Sequence, residues 1–253
     1  MPLTTAIVLG ASGSVGQALV AEILRSGRFA PLILLARRPV AAGPDKGAQA
    51  GVVEHLVPDM QPQALEQAVV DLLARCDGTA VGFSALGVGA GTAALTIDQH
   101  RAVDVELNAA FARGLKRSAP VRHLVFMSAV GADPQARTTG SGAAGMPRYA
   151  RVKGEAEQAV KAQGPQVVSI LRPSVIIGSR HTGGLIAGAL ALMTPVLPSR
   201  LRPIRTAEIA AAMVALALQP PAASAVYHHA QMRAPAAAQG GPSPQPTRPT
   251  RGQ

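Results

Sequence analysis

From its first residues the chain alternates short, continuously apolar runs with longer stretches in which apolar residues return every third or fourth position. The apolar runs are TAIVLG (5–10), LILLA (32–36), GVVEHLV (51–57), GTAVGFSALG (78–87), HLVFMSAVG (123–131) and QVVSILRPSVIIG (166–178). Helical spacing occupies Ser14 to Ser26 and the segments near 61–75, 98–118 and 149–162. A strand that is apolar along its whole length is buried on both faces, as happens in a parallel sheet covered by helices on each side. The pattern predicts an α/β fold, a doubly wound parallel sheet, formed by one domain over residues 1–233.

Beyond about residue 179 the pattern changes. A glycine- and alanine-rich stretch leads into PVLPSRLRP (195–203) and then into a helix over TAEIAAAMVALALQ (206–219). Ligands of open parallel sheets bind at the carboxyl ends of the strands, so residues 180–220 are expected to form a small substrate lobe on the far wall of that crevice. The last residues, 234–253, are rich in proline, glycine and polar side chains with little to bury, and are expected to be a disordered tail.

Composition narrows the function classes. A single cysteine, Cys76, permits no internal disulfide and fits a reducing, cytoplasmic setting. No Cys/His spacing points to a metal. The net charge of +10 comes from scattered Lys and Arg, and only 2% of the residues are aromatic, so no nucleic-acid reader is expected. Attraction for anionic small molecules is the simpler consequence. The most apolar late stretch, LIAGALALMTPVL (185–197), is shorter than the roughly 20 residues of a bilayer span, and no signal peptide is apparent, so no membrane role is expected. His123, His181, His228 and His229 have no partner spacing that would make them catalytic. Oligomeric state has no signature in the sequence.

The first strand runs into GASGSVG, with glycines at 10, 13 and 16 and a helix beginning inside the motif. Gly10 suits a tight turn, Gly13 a close approach of backbone to a pyrophosphate, and Gly16 the packing of helix on strand. Amides at the helix start attract the anion. The second strand ends in LLARRP, where an acidic residue would accept from the adenosine ribose. Arg37 and Arg38 stand there instead and favour the extra phosphate of NADP(H), with NAD(H) still possible.

Tyr149 and Lys153 lie four apart, hence on one face of a helix and about a turn from each other. A phenol is a poor acid at neutral pH, and a neighbouring ammonium favours its ionised form, which suits the pair to general acid/base catalysis at a carbonyl or alcohol oxygen.

The glycine loop, FSALG (83–87), VFMSAVGAD (125–133), YARVKGEAE (149–157) and RPSVIIGSR (172–180), in this order, resemble the atypical short-chain dehydrogenase/reductase superfamily, and within it the TIP30-like and NmrA-like group. The resemblance covers about residues 5–220. It implies that Tyr149 is the catalytic acid/base and that Lys153 holds the nicotinamide ribose. It further implies that Ser12, Gly13, Ser14 and Val15 cradle the pyrophosphate, that Asp59 and Met60 lie beside the adenine, and that Ala85, Leu86 and Gly87 line the cofactor. Pro173, Ser174, Val175 and Ile176 would touch the carboxamide.

One departure stands out. Family members commonly carry two serines at the end of the fifth strand, the second orienting the substrate carbonyl, whereas this chain has Ser128 followed by Ala129. Ser128 can serve catalysis from a shifted register or can cap the strand. The glycine-rich loop from Ala129 to Arg148 is expected to be mobile and to cover a substrate. The leading functional expectation is an NADP(H)-dependent oxidoreductase acting on a small carbonyl or hydroxyl compound. The alternative is a dinucleotide-binding redox sensor, regulator or assembly factor without turnover, and a nucleotide-sugar isomerase ranks last because little chain follows the sixth strand.

Overall fold

The computed structural model describes residues 3–40, 51–119, 121–177 and 202–238. Strand β1 (Thr4–Leu9) leads through the glycine loop into helix α1 (Ser14–Ser26), followed by β2 (Phe29–Ala36), β3 (Val52–Leu56), α2 (Pro62–Leu73) and β4 (Ala80–Ser84). A short helix α3 (Ile97–Arg101) widens into a π-helical segment (Ala102–Leu107) and continues as α4 (Asn108–Arg117). Then come β5 (Val121–Met127), α5 (Pro147–Gln163), β6 (Val167–Leu171), β7 (Ile176–Ile177), β8 (Ile204–Arg205), α6 (Thr206–Leu218), β9 (Ala225–Tyr227) and α7 (His229–Ala238).

Seven strands form one parallel sheet in the order β3-β2-β1-β4-β5-β6-β9. Side chains of a strand alternate between faces, and β1 shows the consequence. Ala6 and Val8 join a core built with Val15, Leu19 and Ile23 of α1 and Ile209 and Met213 of α6. Ile7 and Leu9 join the opposite core, with Leu65, Val69 and Leu73 of α2, Phe111 and Leu115 of α4, and Ala156 and Val160 of α5. Every residue of β4 and β6 is buried, whereas edge strand β3 exposes Val53 and Leu56. The apolar runs that form β1, β2, β4, β5 and β6 are thus the inner strands of a two-sided sheet, whereas GVVEHLV forms its exposed edge.

The strand order places β1 and β4 side by side at the point where chain progression reverses, which opens a crevice at their carboxyl ends. The loops after β1, β4 and β5 and the first turns of α5 converge there. Helix α5 starts on Pro147 at its first turn, where the missing amide hydrogen costs nothing. Its position is set by Gly154, since a Cβ there would come within 2.2 Å of the Pro134 backbone nitrogen. The Asp133 amide donates to the Ala150 carbonyl at 3.0 Å, so the loop after β5 packs directly on the beginning of α5.

The expected helices at 14–26, 61–75, 98–118 and 149–162 all form, within two residues of those bounds. The run at 166–178 is not one strand. It ends in the main sheet at Leu171, and Ile176–Ile177 pairs instead with Ile204–Arg205 in a separate two-stranded ribbon. Arg172 and Pro173 intervene; proline has no amide to continue a ladder. Strand β9, too short to register as periodicity, adds an outer edge beside β6. Of the segment expected to form a substrate lobe, 178–201 lies outside the described residues, and α6 belongs to the layer covering the α1 face of the sheet. Helix α7 continues to Ala238, so the boundary expected at Ala234 moves; residues 239–253 lie outside the described residues.

Candidate active site

The glycine turn divides its labour among three residues. Gly10 has φ +87°, and a Cβ on it would meet the Leu86 amide nitrogen at 2.6 Å, so β1 and the turn after β4 touch backbone to backbone. A Cβ on Gly16 would lie 2.0 Å from the Gly10 carbonyl oxygen, which forces glycine where α1 crosses the turn. Gly13 differs: a Cβ there would meet only the Gly10 oxygen, at 3.5 Å. Among the described residues nothing else comes within 4 Å of that position, and Gly13, the N-cap of α1, has no side chain of its own to cap the positive end of the helix. This is the cradle that the pyrophosphate of a dinucleotide requires, and the residues present fit such a group. Ser12 is exposed, Ser14 half-buried and Val15 buried on α1.

At the end of β2, adjacent to β1, Arg37 and Arg38 are both exposed. Asp59 is exposed and Met60 half-buried just beyond β3; Met60 takes a left-handed φ of +43°, and its amide bonds the Val57 carbonyl at 3.0 Å. Ala85 is anchored by its amide to the Leu9 carbonyl at 3.0 Å, with Leu86 and Gly87 half-buried after it.

Along α5 two stripes run side by side. Val152, Ala156 and Val160 enter the core, while Tyr149, Lys153 and Glu157, each four residues from the next, form the adjoining polar stripe. Tyr149 is half-buried, and the Lys153 ammonium lies 5.8 Å from its ring centroid. Lys153 is only 5% exposed, so its charge needs a partner. That partner is the buried carboxylate of Asp104 in the π-helical segment, which forms an ion pair with the ammonium. The other Asp104 oxygen accepts from the Val88 amide at 3.0 Å. Burial alone would disfavour both charges. The pairing outweighs it, holding Asp104 below the usual carboxylate range and, with Tyr149 and Glu157 adding to it, raising Lys153 above the usual lysine range.

The pair sits directly under the turn that follows β4. A Cβ on Gly87 would come 3.1 Å from the Lys153 Nζ and 3.2 Å from Asp104 Oδ1. The His100 ring stands beside Tyr149, centroids 5.7 Å apart, with Nε2 at 3.6 Å from Asp104 Oδ1; neither ring nitrogen has a hydrogen-bond partner among the described residues. Asn108 completes this face of the helix: its amide donates to the Asp104 carbonyl at 2.9 Å, and its side-chain oxygen accepts from Ser84 at 2.5 Å.

Ser128, at the end of β5, is buried and donates its hydroxyl to Glu157 Oε1 at 2.6 Å. Glu157 is held in turn by a two-pronged ion pair with Arg172, at 2.8 and 2.6 Å. In this arrangement the Ser128 hydroxyl makes a strand-end contact to a carboxylate. Pro173 is buried and its carbonyl accepts from the Val130 amide at 2.8 Å, while the Ser174 hydroxyl donates to the Arg202 carbonyl and the Val175 carbonyl accepts from Ile204 at 3.0 Å. Val175 is exposed and Ile176 half-buried, so this segment ties the end of β6 to the ribbon.

The structure therefore brings Tyr149 and Lys153 together with Gly87 and directs Ser128 to Glu157. Sequence reasoning did not anticipate Asp104, His100 or Glu157. The available signal was polar residues at intervals of four, His100, Asp104 and Asn108 on one helix and Tyr149, Lys153 and Glu157 on another.

Comparison with known proteins bears on the fold and the family. Protein FMP52 of Eremothecium gossypii, named mitochondrial, is 29% identical over 177 residues, covering 70% of this chain and 68% of the relative. FMP52 of Coccidioides immitis, also named mitochondrial, is 27% identical over 190 residues, covering 75% and 72%. Those names do not fit the expectation of a purely cytoplasmic location. Among the described residues no helix is long and apolar enough to cross a membrane. Among solved structures, MoeE5 in complex with UDP-glucose and NAD aligns with TM-score 0.61 at 17% identity, over 88% of this chain and 74% of that one. The yeast methylglyoxal/isovaleraldehyde reductase Gre2, complexed with NADPH, aligns with TM-score 0.62 at 13% identity, over 89% and 78%. These structural likenesses carry the Rossmann fold and not the narrower TIP30-like and NmrA-like placement. The family described as NAD(P)H-binding matches residues 10–220, from the first glycine of the turn to the residue after α6 and its cap, and the chain belongs to that family.

Proposed function

We propose that the protein is an NADP(H)-dependent oxidoreductase that interconverts a small carbonyl compound and its alcohol, with Tyr149 as acid/base and Lys153 as the ligand of the nicotinamide ribose. The nicotinamide supplies or accepts the hydride when bound. Tyr149 gives a proton to the substrate oxygen in reduction and removes it in oxidation. Lys153 orients the ribose and carries positive charge next to the phenol. Gly10, Gly13 and Gly16 with Ser12, Ser14 and Val15 bind the pyrophosphate, and Ala85, Leu86 and Gly87 line the cofactor. Asp59 and Met60 flank the adenine, and Pro173 to Ile176 border the carboxamide.

The observation that carries this reading is the convergence of Tyr149 and Lys153 from α5 with Gly87 from the turn after β4, in a crevice whose first wall is the open cradle above Gly13. Arg37 and Arg38, exposed at the end of the strand next to β1, support NADP(H) over NAD(H). Dinucleotide oxidation measured against a panel of small aldehydes and ketones, with wild type and Tyr149→Phe side by side, tests the proposal. Turnover by wild type with a loss of about 10²- to 10⁴-fold in the variant, binding unchanged, is expected. Dinucleotide binding by both proteins with turnover by neither, across the panel, refutes it.

A second reading has one specific observation in its favour. Ala129 occupies the position of the family's substrate-orienting serine, and the Ser128 hydroxyl is directed to Glu157. A dinucleotide-binding sensor or assembly factor without turnover needs no such hydroxyl, and that same panel distinguishes it.

A further inference from the structure

The mechanism above uses Lys153 and leaves unexplained why a carboxylate is buried against it. Asp104 is 1% exposed and lies in a helical turn widened to a π-helix, beside a ring of buried polar groups. One of its oxygens is fixed by a backbone amide, that of Val88. The other meets the Lys153 ammonium, with His100 Nε2 3.6 Å away. A carboxylate secured on one side by the main chain has little freedom to follow a moving lysine, so the lysine conforms to it. The available volume is also bounded, since the Gly87 turn closes over both groups at a distance where even a methyl group would be tight.

We propose that Asp104 is a positioning residue of the dinucleotide site: held by the Val88 amide, it pins the Lys153 ammonium beneath the Gly87 turn, where that ammonium meets the ribose hydroxyls of the cofactor. The inference rests on the dinucleotide reading above and extends it to a residue that touches neither cofactor nor substrate. Four groups face Lys153 besides the turn: Asp104 from the π-helical segment, His100 from α3 by way of Asp104, and Tyr149 and Glu157 from α5. Glu157 is already matched by Arg172 and accepts from Ser128, so it is a weaker counter-charge for the lysine. Asp104 is thus the group that keeps a buried ammonium charged. Without it, desolvation favours neutral Lys153, and a neutral amine is a poorer donor to a hydroxyl.

The chain contains four lysines, Lys46, Lys116, Lys153 and Lys161, so a protein carrying ¹³C at lysine Cε gives four signals whose pH titrations can be followed one by one. Lys153→Met assigns the signal of interest. In wild type the Lys153 signal is expected to titrate above the other three, and NADPH affinity, followed by nicotinamide fluorescence, to stay level through mildly alkaline pH. In Asp104→Asn the Lys153 midpoint is expected to fall below the other three, and the dissociation constant to rise about tenfold per pH unit above that midpoint, as one-proton linkage requires. Asp104→Glu is expected to recover both properties in part.

An Asp104→Asn protein whose Lys153 titrates as late as in wild type, or whose affinity stays level with pH, overturns the inference. If that variant does not fold, a wild-type Lys153 midpoint no higher than those of the other lysines overturns it as well. Failure of the underlying reading looks different: NADPH affinity would be indifferent to Lys153→Met, or absent in wild type, whatever the lysine titration shows.

Discussion

Replacing Gly13 and Gly16 separately by alanine distinguishes a glycine required by the protein from one required by a ligand. At Gly16 the new methyl would lie 2.0 Å from the Gly10 carbonyl oxygen and 2.9 Å from the Ala11 Cα, both backbone atoms that no rotamer change can move. Overpacking of this kind costs about 2–3 kcal/mol, which for a domain of this size lowers the melting temperature by roughly 5–10 °C. At Gly13 the methyl meets only the Gly10 oxygen at 3.5 Å, and the backbone, at φ −72° and ψ 164°, is open to any residue. Alanine is a poorer N-cap than glycine, but it also restricts the unfolded chain, and the two effects of about 0.5–1 kcal/mol nearly cancel. The unliganded Gly13→Ala protein should therefore melt within about 2 °C of wild type. Its dinucleotide affinity should nonetheless collapse, because the methyl occupies the space of the pyrophosphate and separates it from the helix amides. Losing about two charge-assisted hydrogen bonds comes to about 3 kcal/mol, or roughly 100-fold in Kd. Differential scanning fluorimetry with and without NADPH, together with a fluorescence titration, reads both quantities. A Gly13→Ala protein that melts like wild type and still binds NADPH with wild-type affinity would refute the placement of the pyrophosphate over α1.

Other expectations are independent of this one. His123, buried with Nε2 2.9 Å from the Ser169 hydroxyl, is lowered by burial to about 4. Above the unfolded value near 6.5 both states are neutral; as pH falls from there to about 4 the unfolded chain takes up a proton first, removing about 3 kcal/mol of stability. Urea melts of wild type and His123→Gln between pH 7 and 4 should diverge by that order, and parallel curves would show that the imidazole does not resist protonation. Ser128→Ala should lower turnover less than about tenfold while costing about 1–2 kcal/mol of stability, because its hydroxyl serves Glu157; a loss of 10²–10³ in kcat would instead mark a donor to the oxyanion. Converting Arg37 and Arg38 together to glutamate should weaken NADPH by more than about tenfold and leave NADH within a few-fold, read by competition titration; equal losses for both nucleotides would remove these arginines from phosphate recognition.

How the candidate site assembles explains which parts of it the sequence discloses. The glycine turn is legible because its requirements are local: a strand, a reversal and a helix start within GASGSVG, each with a backbone need that only certain residues meet. Tyr149 and Lys153 are legible for the same reason, since four residues of helix bring them to one face. Asp104 is not, because what identifies it is the lysine of a different helix. The contact of Ser128 with Glu157 is not legible either, because nothing in MSAVGAD refers to α5.

By itself, then, the sequence determined the alternation of strands and helices, the parallel two-sided sheet and the two motifs that nominate a dinucleotide and an acid/base pair. These follow from periodicity and backbone geometry, which are properties of neighbouring residues. Tertiary structure alone decided that the apolar run after Lys161 divides between a sheet and a ribbon, that Ala225–Tyr227 closes the sheet beside β6, and that a buried aspartate answers the buried lysine. Each of those depends on which distant segment a strand or charge meets. A charge in a low-dielectric interior needs a partner, but the register of the whole sheet chooses which one.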